Sequence, residues 1–119
     1  MFNFEKLDVW QKAIEFADLI YTDTRSFPTE ERFGLTSQLR RAAVSISSNI
    51  AEGSSRSSKT DFARFIEITD GSVFELVSEC FVACRQNFLS DDNFREIYAI
   101  AEEESRMLSG LRRSLLTVK

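Results

Sequence analysis

Apolar residues recur along this chain at intervals of three and four, which is the spacing of one face of an α-helix. The recurrence falls into four stretches, which predict amphipathic helices over residues 7–26, 35–52, 59–88 and 91–116. Four such helices with short connections predict an all-α fold, an antiparallel up-down-up-down four-helix bundle. Residues 1–119 are interpreted as one domain, because 119 residues is a single-domain length.

Capping and breaking residues mark the ends of these helices. The Phe27–Pro28 pair is predicted to end the first helix, because the residue before a proline avoids the α conformation. Gly53 is predicted to end the second helix with positive φ, which glycine adopts freely. Ser58 and a residue of the Ser90–Asp91 pair are predicted N-caps of the third and fourth helices. Gly71 lies inside the third helix, where a glycine predicts close approach of another backbone.

The composition excludes several kinds of enzyme. The chain has no histidine, which excludes Ser-His-Asp and Cys-His centres, HExxH zinc sites and an imidazole proton shuttle. Its two cysteines, Cys80 and Cys84, are too few for a tetrahedral zinc site. We interpret them as small core side chains in a reducing compartment. We therefore expect no catalytic residue, no metal ligand and no cofactor.

The hydropathy pattern contains no membrane signal. Residues 1–6 do not form the apolar run of a signal peptide, and no stretch approaches the ~20 apolar residues that cross a bilayer. The sequence therefore predicts a cytoplasmic protein without a membrane partner.

The predicted second helix is unusually rich in small and polar residues. Asn49 falls on its apolar stripe and Glu52 at the edge of that stripe. A buried amide or carboxylate must be hydrogen-bonded, so the spacing predicts an inner network of Asn, Glu and Arg side chains. Such a network can fix helix register or subunit contacts, bind a ligand or nucleic acid, or place Glu52 for catalysis. The candidate structural or binding motif consists of Arg40, Arg41, Asn49, Glu52 and Arg56.

The distribution of charge gives a second candidate site. With 15 basic and 19 acidic residues the net charge is −4, which weighs against a general polyanion binder. Five basic residues nevertheless lie within 25 positions and form a candidate nucleic-acid contact: Arg40, Arg41, Arg56, Lys59 and Arg64. Three more lie near the end of the chain: Arg112, Arg113 and Lys119.

Two further features concern the third and fourth helices. Five of the eleven phenylalanines lie on the third helix, more than one narrow seam can bury, which predicts association between subunits. The run Glu102–Glu104 is similar to carboxylate di-iron sites, but those sites use Glu-x-x-His pairs and this chain has no histidine. We therefore interpret the run as a solvated face.

These segments resemble the 23S rRNA intervening-sequence protein family, a family of small bacterial four-helix bundle proteins. The matching residues are 8–13, 27–43, 45–56, Phe62-x-x-Phe65 and 71–76. The resemblance implies a bundle assembled into a homopentameric ring, with no established enzymatic activity. The accessory protein of diversity-generating retroelements is similar, and is a basic pentameric barrel that works with a reverse transcriptase and nucleic acid. This chain departs from it, because five copies of a chain of charge −4 make an acidic assembly.

Three hypotheses follow. The first is a non-enzymatic homo-oligomer that acts as an assembly or adaptor module. The alternative is a module that binds structured RNA through a basic patch on the oligomer, or that partners a nucleic-acid-handling protein. The third is a small-molecule enzyme that uses Glu52.

Overall fold

The computed structural model describes residues 1–117 and confirms a helical bundle without strands over that range. The four helices are α1 (Asp8–Thr24), α2 (Leu35–Ser54), α3 (Lys59–Arg85) and α4 (Asp91–Leu116). Short 3-10 turns precede α1 at Asn3–Lys6 and α2 at Thr29–Glu31.

The helices form a four-cornered, antiparallel arrangement. Each helix packs on its neighbour in the chain, and α4 closes back onto α1. Within residues 1–117, no contact joins the diagonal pairs, α1 with α3 or α2 with α4. The groove between α1 and α2 therefore lies on the opposite side of the bundle from the groove between α3 and α4. None of the four helices is long and apolar enough to cross a membrane, and residues 1–117 hold no other helix of that length.

The interior is built from aliphatic and small side chains. Fully buried members include Ile20, Leu39, Ile46, Ile50, Ile66, Leu76, Ile97 and Leu108. Of the eleven phenylalanines, Phe16 and Phe27 alone are buried, and the other nine lie at the edges of the helices or in solvent. Most phenylalanine side chains are thus partly or fully exposed at the surface of this bundle.

The serine caps form as predicted. The hydroxyl of Ser58 accepts a hydrogen bond from the Asp61 backbone N–H at 3.0 Å and begins α3. The hydroxyl of Ser90 accepts one from the Asn93 N–H at 3.1 Å and begins α4, so Ser90 rather than Asp91 is the cap. Each cap satisfies one of the amides that a helix leaves unpaired at its start.

Three helix ends differ from the prediction, one of them the end of α2, at Ser54 rather than at residue 52. Helix α1 ends at Thr24, two residues early, and α3 ends at Arg85 rather than at residue 88. The reason at α3 is Asn87, whose φ of 64° turns the chain out of the helix. Asparagine is one of the few residues that adopt this conformation readily.

The two glycines have the reverse of their predicted roles. Gly53 does not end α2, which continues to Ser54, and its φ is not positive. A Cβ at Gly53 would lie 2.7 Å from Cβ of Phe65 and 3.0 Å from the ring of Phe62, so this is where α2 and α3 approach closely. Gly71 is exposed, and a Cβ there would meet no atom of the described chain within 4 Å.

The inner face of α1 is one of several apolar sides of this helix. Val9, Ala13 and Phe16 are buried, whereas Ile14 and Tyr21 are more than a third exposed. Apolar residues lie on more than one side of α1, so periodicity alone does not fix which side faces the bundle.

Candidate functional site

The first exposed surface of note lies over the groove between α1 and α2. We call it the arginine–aromatic face, and it consists of Tyr21, Arg32, Phe33, Arg40, Arg41 and Val44, around a groove of about 640 Å³. Phe33 is the most exposed of its apolar side chains, at 89%. From residue 32 to 51 the chain has three arginines and no acidic residue, so this surface is positively charged.

Two of its arginines are held in place by neighbouring side chains. The guanidinium of Arg40 lies 4.6 Å from the centre of the Tyr21 ring and donates from Nε to Thr24 Oγ1 at 2.9 Å. Arg41 donates from Nη2 to Ser37 Oγ at 3.1 Å. A guanidinium fixed in this way loses less entropy when it binds a partner.

The second surface lies over the groove between α3 and α4. We call it the α3–α4 aromatic face, and it consists of Phe74, Val77, Phe81, Tyr98 and Glu102, beside a groove of about 380 Å³. The exposed fractions are 67% for Phe74, 49% for Phe81 and 40% for Tyr98. Phe81 packs edge-on against Phe94, with ring centres 4.8 Å apart, and lies 6.4 Å from the ring of Tyr98, so these three rings form one cluster.

The charge at this aromatic surface is balanced. Glu102 and Arg106 are the two charged residues that line its groove. Glu67 and Asp70 on α3 line a different groove, together with Arg112 and Arg113. The α3–α4 aromatic face therefore lacks the excess of arginine that marks the arginine–aromatic face.

The two faces lie at the same height on the bundle. The hydroxyls of Ser45 on α2 and Ser72 on α3 are 3.1 Å apart, which places these residues level with each other. Val44 is one residue from Ser45 and Phe74 is two from Ser72, steps of about 1.5 and 3 Å along a helix. The faces thus occupy opposite sides of one cross-section of the bundle.

The structure separates the motif residues predicted to form one inner network. Asn49 donates from Nδ2 to the backbone oxygen and the hydroxyl of Ser45, both at 2.9 Å, and is partly buried. Glu52 and Arg56 pair at 2.8 Å on the surface, and the Arg56 guanidinium lies 4.6 Å from the centre of the Phe65 ring. The prediction of a single buried Asn–Glu–Arg network is wrong, because its charged members face solvent.

The five candidate nucleic-acid contacts also separate into two groups. Arg40 and Arg41 lie in the middle of α2, while Arg56, Lys59 and Arg64 lie at the turn between α2 and α3. Thirteen helical steps separate Arg41 from Ser54, the last residue of α2, which corresponds to about 20 Å. All three residues at the turn are exposed, and Arg64 lines a groove with Arg112.

The basic residues near the end of the chain are placed only in part. Arg112 and Arg113 lie on the last turns of α4, and Arg112 Nη2 is 3.8 Å from Glu67 Oε2. Lys119 lies outside the described residues.

The structure corrects the interpretation of the glutamate run. Glu102 and Glu103 are exposed, but Glu104 is fully buried and neither of its carboxyl oxygens has a hydrogen-bond partner. Its helical phase was the signal: it lies three residues after Ala101 and four before Leu108, both core residues. The two acidic residues that precede it, Glu102 and Glu103, hid that signal.

Burial dominates the electrostatics of Glu104. Loss of water raises the pKa of Glu104 to about 8, although the charge of Lys12 on α1 lowers it. Lys12 itself pairs with Glu103, Nζ to Oε1 at 2.8 Å, and this hydrogen bond raises the pKa of Lys12. The cation nearest to Glu104 is therefore bound to its exposed neighbour.

Burial also raises the pKa of three other titratable groups. Burial, with the nearby charge of Glu75, raises the pKa of Glu79 to about 7. Burial raises the pKa of the Asp23 carboxyl, with a smaller contribution from Glu96. Burial raises the pKa of the Cys80 thiol to about 12, which makes it an inert core side chain.

Cys84 differs from Cys80 in exposure. It is partly exposed, and donation of its thiol to Asp91 Oδ1 at 3.3 Å raises its pKa. Both cysteines are free thiols.

The arrangement offers little for catalysis by Glu52. Its carboxylate is paired with Arg56, and it lines none of the five main grooves formed by residues 1–117. Within the same range, no three Cys, Asp or Glu side chains come together as metal ligands.

Comparison with known proteins agrees with the fold. No curated protein matches the chain. A solved structure from Bacteroides thetaiotaomicron VPI-5482, a protein with unknown function from the S23 ribosomal protein family, is similar with a TM-score of 0.79. The match has 22% sequence identity and covers 88% of this chain and 98% of that one.

The family assignment rests on sequence. The model of the 23S rRNA-intervening sequence protein family matches residues 5–110, which include all of α1, α2 and α3 and most of α4. The chain therefore belongs to the 23S rRNA-intervening sequence protein family.

Proposed function

We propose that the protein is a non-enzymatic module that associates with further copies of itself and serves as an assembly or adaptor unit. The observation that carries this proposal is the α3–α4 aromatic face, where Phe74, Phe81 and Tyr98 are 40% to 67% exposed. The ring of Tyr98 lies 6.4 Å from that of Phe81 and lines one groove with Phe74. Contiguous exposed aromatic groups on a small acidic chain favour protein–protein contact, since Phe and Tyr are enriched at the centres of interfaces.

The assembly in this proposal is a closed ring of five copies in the cytoplasm. The resemblance to the family supports the number five, and the presence of two different exposed faces on one chain is compatible with a ring. The proposal needs no catalytic residue, because Glu52 is paired with Arg56 and Glu104 is enclosed in the core.

Light scattering coupled to gel filtration tests the proposal. We expect the chain of 13.7 kDa to elute as a multiple of its mass at micromolar concentration, with five copies as the specific expectation. A stable monomer under these conditions would contradict the proposal. A stable oligomer of another number would contradict the ring of five and leave self-association standing.

The second candidate function is binding of structured RNA. It is favoured by Arg56, Lys59 and Arg64, three exposed basic side chains at the turn between α2 and α3 and on the first turns of α3. Arginine and lysine side chains in such a cluster neutralise phosphates and release counterions.

Fluorescence anisotropy with a labelled RNA hairpin tests this second function. We expect binding at low salt that weakens log-linearly as salt rises. Charge reversal with Arg56→Glu and Arg64→Glu should abolish it. Arg25→Glu with Arg85→Glu, at two exposed arginines at the ends of α1 and α3, makes the same change in overall charge and is the matched control. An absence of binding at the lowest salt would contradict the RNA-binding function without affecting the self-association proposal.

A further inference from the structure

We infer that the arginine–aromatic face binds a short acidic segment of a partner protein, in which Asp or Glu residues flank an aliphatic or aromatic side chain. This inference rests on the adaptor role of the proposed function and gives the chemistry of the protein that the adaptor binds. It requires no particular number of copies, because every residue of the face belongs to one chain.

The guanidinium groups of this face carry charge that the chain itself does not neutralise. The ion pairs formed within residues 1–117 include none of its three arginines, Arg32, Arg40 and Arg41. The carboxylate next to them in the chain, Glu31, instead accepts a hydrogen bond from the Leu35 backbone N–H at 3.1 Å. Unpaired guanidinium groups gathered on one face are a site for carboxylates, even on a chain with an acidic total.

Two of these arginines are oriented and still have hydrogen-bond donors to offer. A guanidinium group has five N–H donors. Within residues 1–117, Arg40 uses donors on Nε and Nη2, for Thr24 Oγ1 and the Tyr21 backbone oxygen. Arg41 uses one on Nη2, for Ser37 Oγ. The remaining donors can bind a carboxylate with two hydrogen bonds, as arginine commonly does.

Apolar side chains lie beside these donors. Phe33 is almost fully exposed, and the exposed fractions of Val44 and Tyr21 are 43% and 39%. All three line the same groove, whose volume of about 640 Å³ is within the usual range of binding sites, about 300–1,000 Å³. An apolar side chain of the partner would cover this surface while its neighbouring carboxylates meet the guanidinium groups.

A nucleic acid fits this face less well than an acidic peptide does. Its phosphates could meet the arginines, but it has no aliphatic side chain to cover Val44. A long polyanion would also be repelled by the remainder of a chain whose net charge is −4. A short peptide segment brings its few charges only to the face where the arginines lie.

Fluorescence anisotropy with labelled probes tests this inference. The acidic probe is the peptide Gly-Asp-Glu-Phe-Asp-Glu-Leu-Asp-Gly, and the neutral probe has Asn and Gln in place of every Asp and Glu. We expect the parent chain to bind the acidic probe, and to bind the neutral probe at least ~10-fold more weakly. A single-stranded RNA with the same number of negative charges is the third probe and should bind more weakly than the acidic peptide.

Substitutions on the face locate the binding. Arg32→Glu with Arg41→Glu should weaken binding of the acidic probe at least ~30-fold, and Phe33→Ser should weaken it about 10-fold. All three side chains are exposed, so both variants should keep the helical circular dichroism of the parent chain. Arg85→Glu with Arg95→Glu makes the same change in overall charge at exposed sites outside this groove, and this matched control should bind like the parent chain.

Three results would overturn the inference. The first is failure of the acidic probe to bind at low salt, or equal binding of the neutral probe. The second is tighter binding of the RNA than of the acidic peptide, lost with Arg32→Glu and Arg41→Glu, which would make the face a nucleic-acid site. The third is a smaller mass of that variant than of the parent chain in light scattering, which would make the face a contact between copies.

The same measurements separate this inference from the proposed self-association. A parent chain that is monomeric but binds the acidic probe at this face would contradict self-association and leave the inference standing. An oligomeric parent chain that binds none of the probes would contradict the inference and leave self-association standing.

Discussion

The contact between α2 and α3 and the contact between α1 and α4 join helices of similar type but treat buried polar groups in opposite ways. Along α2–α3 the polar side chains of the motif have partners: Asn49 bonds to Ser45, and the Ser45 hydroxyl meets that of Ser72. Beside α1, α4 buries Glu104 without a partner, while the nearby Lys12 is bound to Glu103. The motif residue Asn49 is thus hydrogen-bonded, whereas the buried carboxyl without a partner, Glu104, lies outside the motif.

This difference in hydrogen bonding indicates that the contact between α2 and α3 sets the register of the bundle. A close approach at Gly53 together with paired hydroxyls fixes α2 against α3 at defined heights. An unpaired carboxyl gives no such preference and opposes folding whenever it is charged. We therefore expect a substitution at the contact between α1 and α4 to raise the free energy of unfolding. We expect a substitution at the contact between α2 and α3 to lower it.

The largest expected effect comes from removing the unpaired carboxyl. Glu104→Leu should raise the free energy of unfolding by about 3 kcal/mol at pH 7, because the folded state then no longer has to take up a proton. Urea unfolding at fixed protein concentration measures this change. The control is Glu96→Leu, the same substitution at an exposed site on α4, which should change stability by less than ~0.5 kcal/mol.

The outcome of that substitution decides between two views of Glu104. Destabilisation by Glu104→Leu would show that the carboxyl has a partner in solution, and would remove the contrast between the two contacts. Stabilisation that is equal in both leucine variants would assign the effect to helix propensity rather than to burial.

The same carboxyl should make stability depend on pH. The folded-state pKa of Glu104, about 8, is above its ordinary value of 4.5, so the proton is held in the folded chain but not in the unfolded one. The contribution of Glu104 to stability is complete below pH 4.5. It is lost by up to ~1.4 kcal/mol per pH unit as pH rises towards 8, where it levels off.

Other groups contribute to this slope with the same sign. The pKa values of Glu79 and Asp23 are also raised by burial, so the wild-type chain should lose stability on both accounts as pH rises. Urea midpoints measured from about pH 5 to 8 for wild type and Glu104→Leu isolate the share of Glu104. Parallel pH profiles for the two chains would contradict the assignment.

The sequence predicted where the helices lie along the chain better than it predicted which side of each helix is buried. The fourth helix was expected over residues 91–116 and is found at Asp91–Leu116, because the Ser90 cap is a local signal. Glu104 was missed because the two residues before it are acidic, although its phase on α4 is that of a core residue. Local chemistry sets where a helix begins, whereas the packing of all four helices sets which side is inside.

For the candidate surfaces, too, the sequence predicts features within one helix but not contacts between helices. A surplus of phenylalanines on the third helix is visible in the sequence, and Phe74 and Phe81 do lie exposed. The partners of Arg40, by contrast, are Thr24 and Tyr21 on α1, sixteen or more residues away. No spacing rule within one helix finds a contact of that kind.

A smaller effect breaks the contact between α2 and α3. Gly53→Ala should lower the free energy of unfolding by about 2 kcal/mol, because the added methyl group meets Cβ of Phe65 and the α3 helix must shift to accept it. Gly71→Ala is the matched control on the exposed side of α3. It should raise stability by up to ~1 kcal/mol, because alanine is the better helix former and nothing in the described chain obstructs it.

The pair of glycine variants also reports on assembly. If Gly71→Ala is neutral in the monomer but weakens the oligomer, the close approach predicted for Gly71 occurs between copies rather than within one. Equal destabilisation by the two alanines would mean that α2 and α3 are not held closest at Gly53.

The smallest expected effect concerns the most distinctive charged pair of the family motif. Arg56→Ala should cost about 1 kcal/mol, from loss of the contact with the Phe65 ring and of an ion pair that is largely screened by water. Glu52→Gln should cost less than ~0.5 kcal/mol, and a double-mutant cycle should give a coupling of similar size that falls with salt. Because both side chains are more than two fifths exposed, a coupling above ~2 kcal/mol would show that something covers them in solution. In that case the turn between α2 and α3, rather than the α3–α4 aromatic face, would be the principal contact of the assembly.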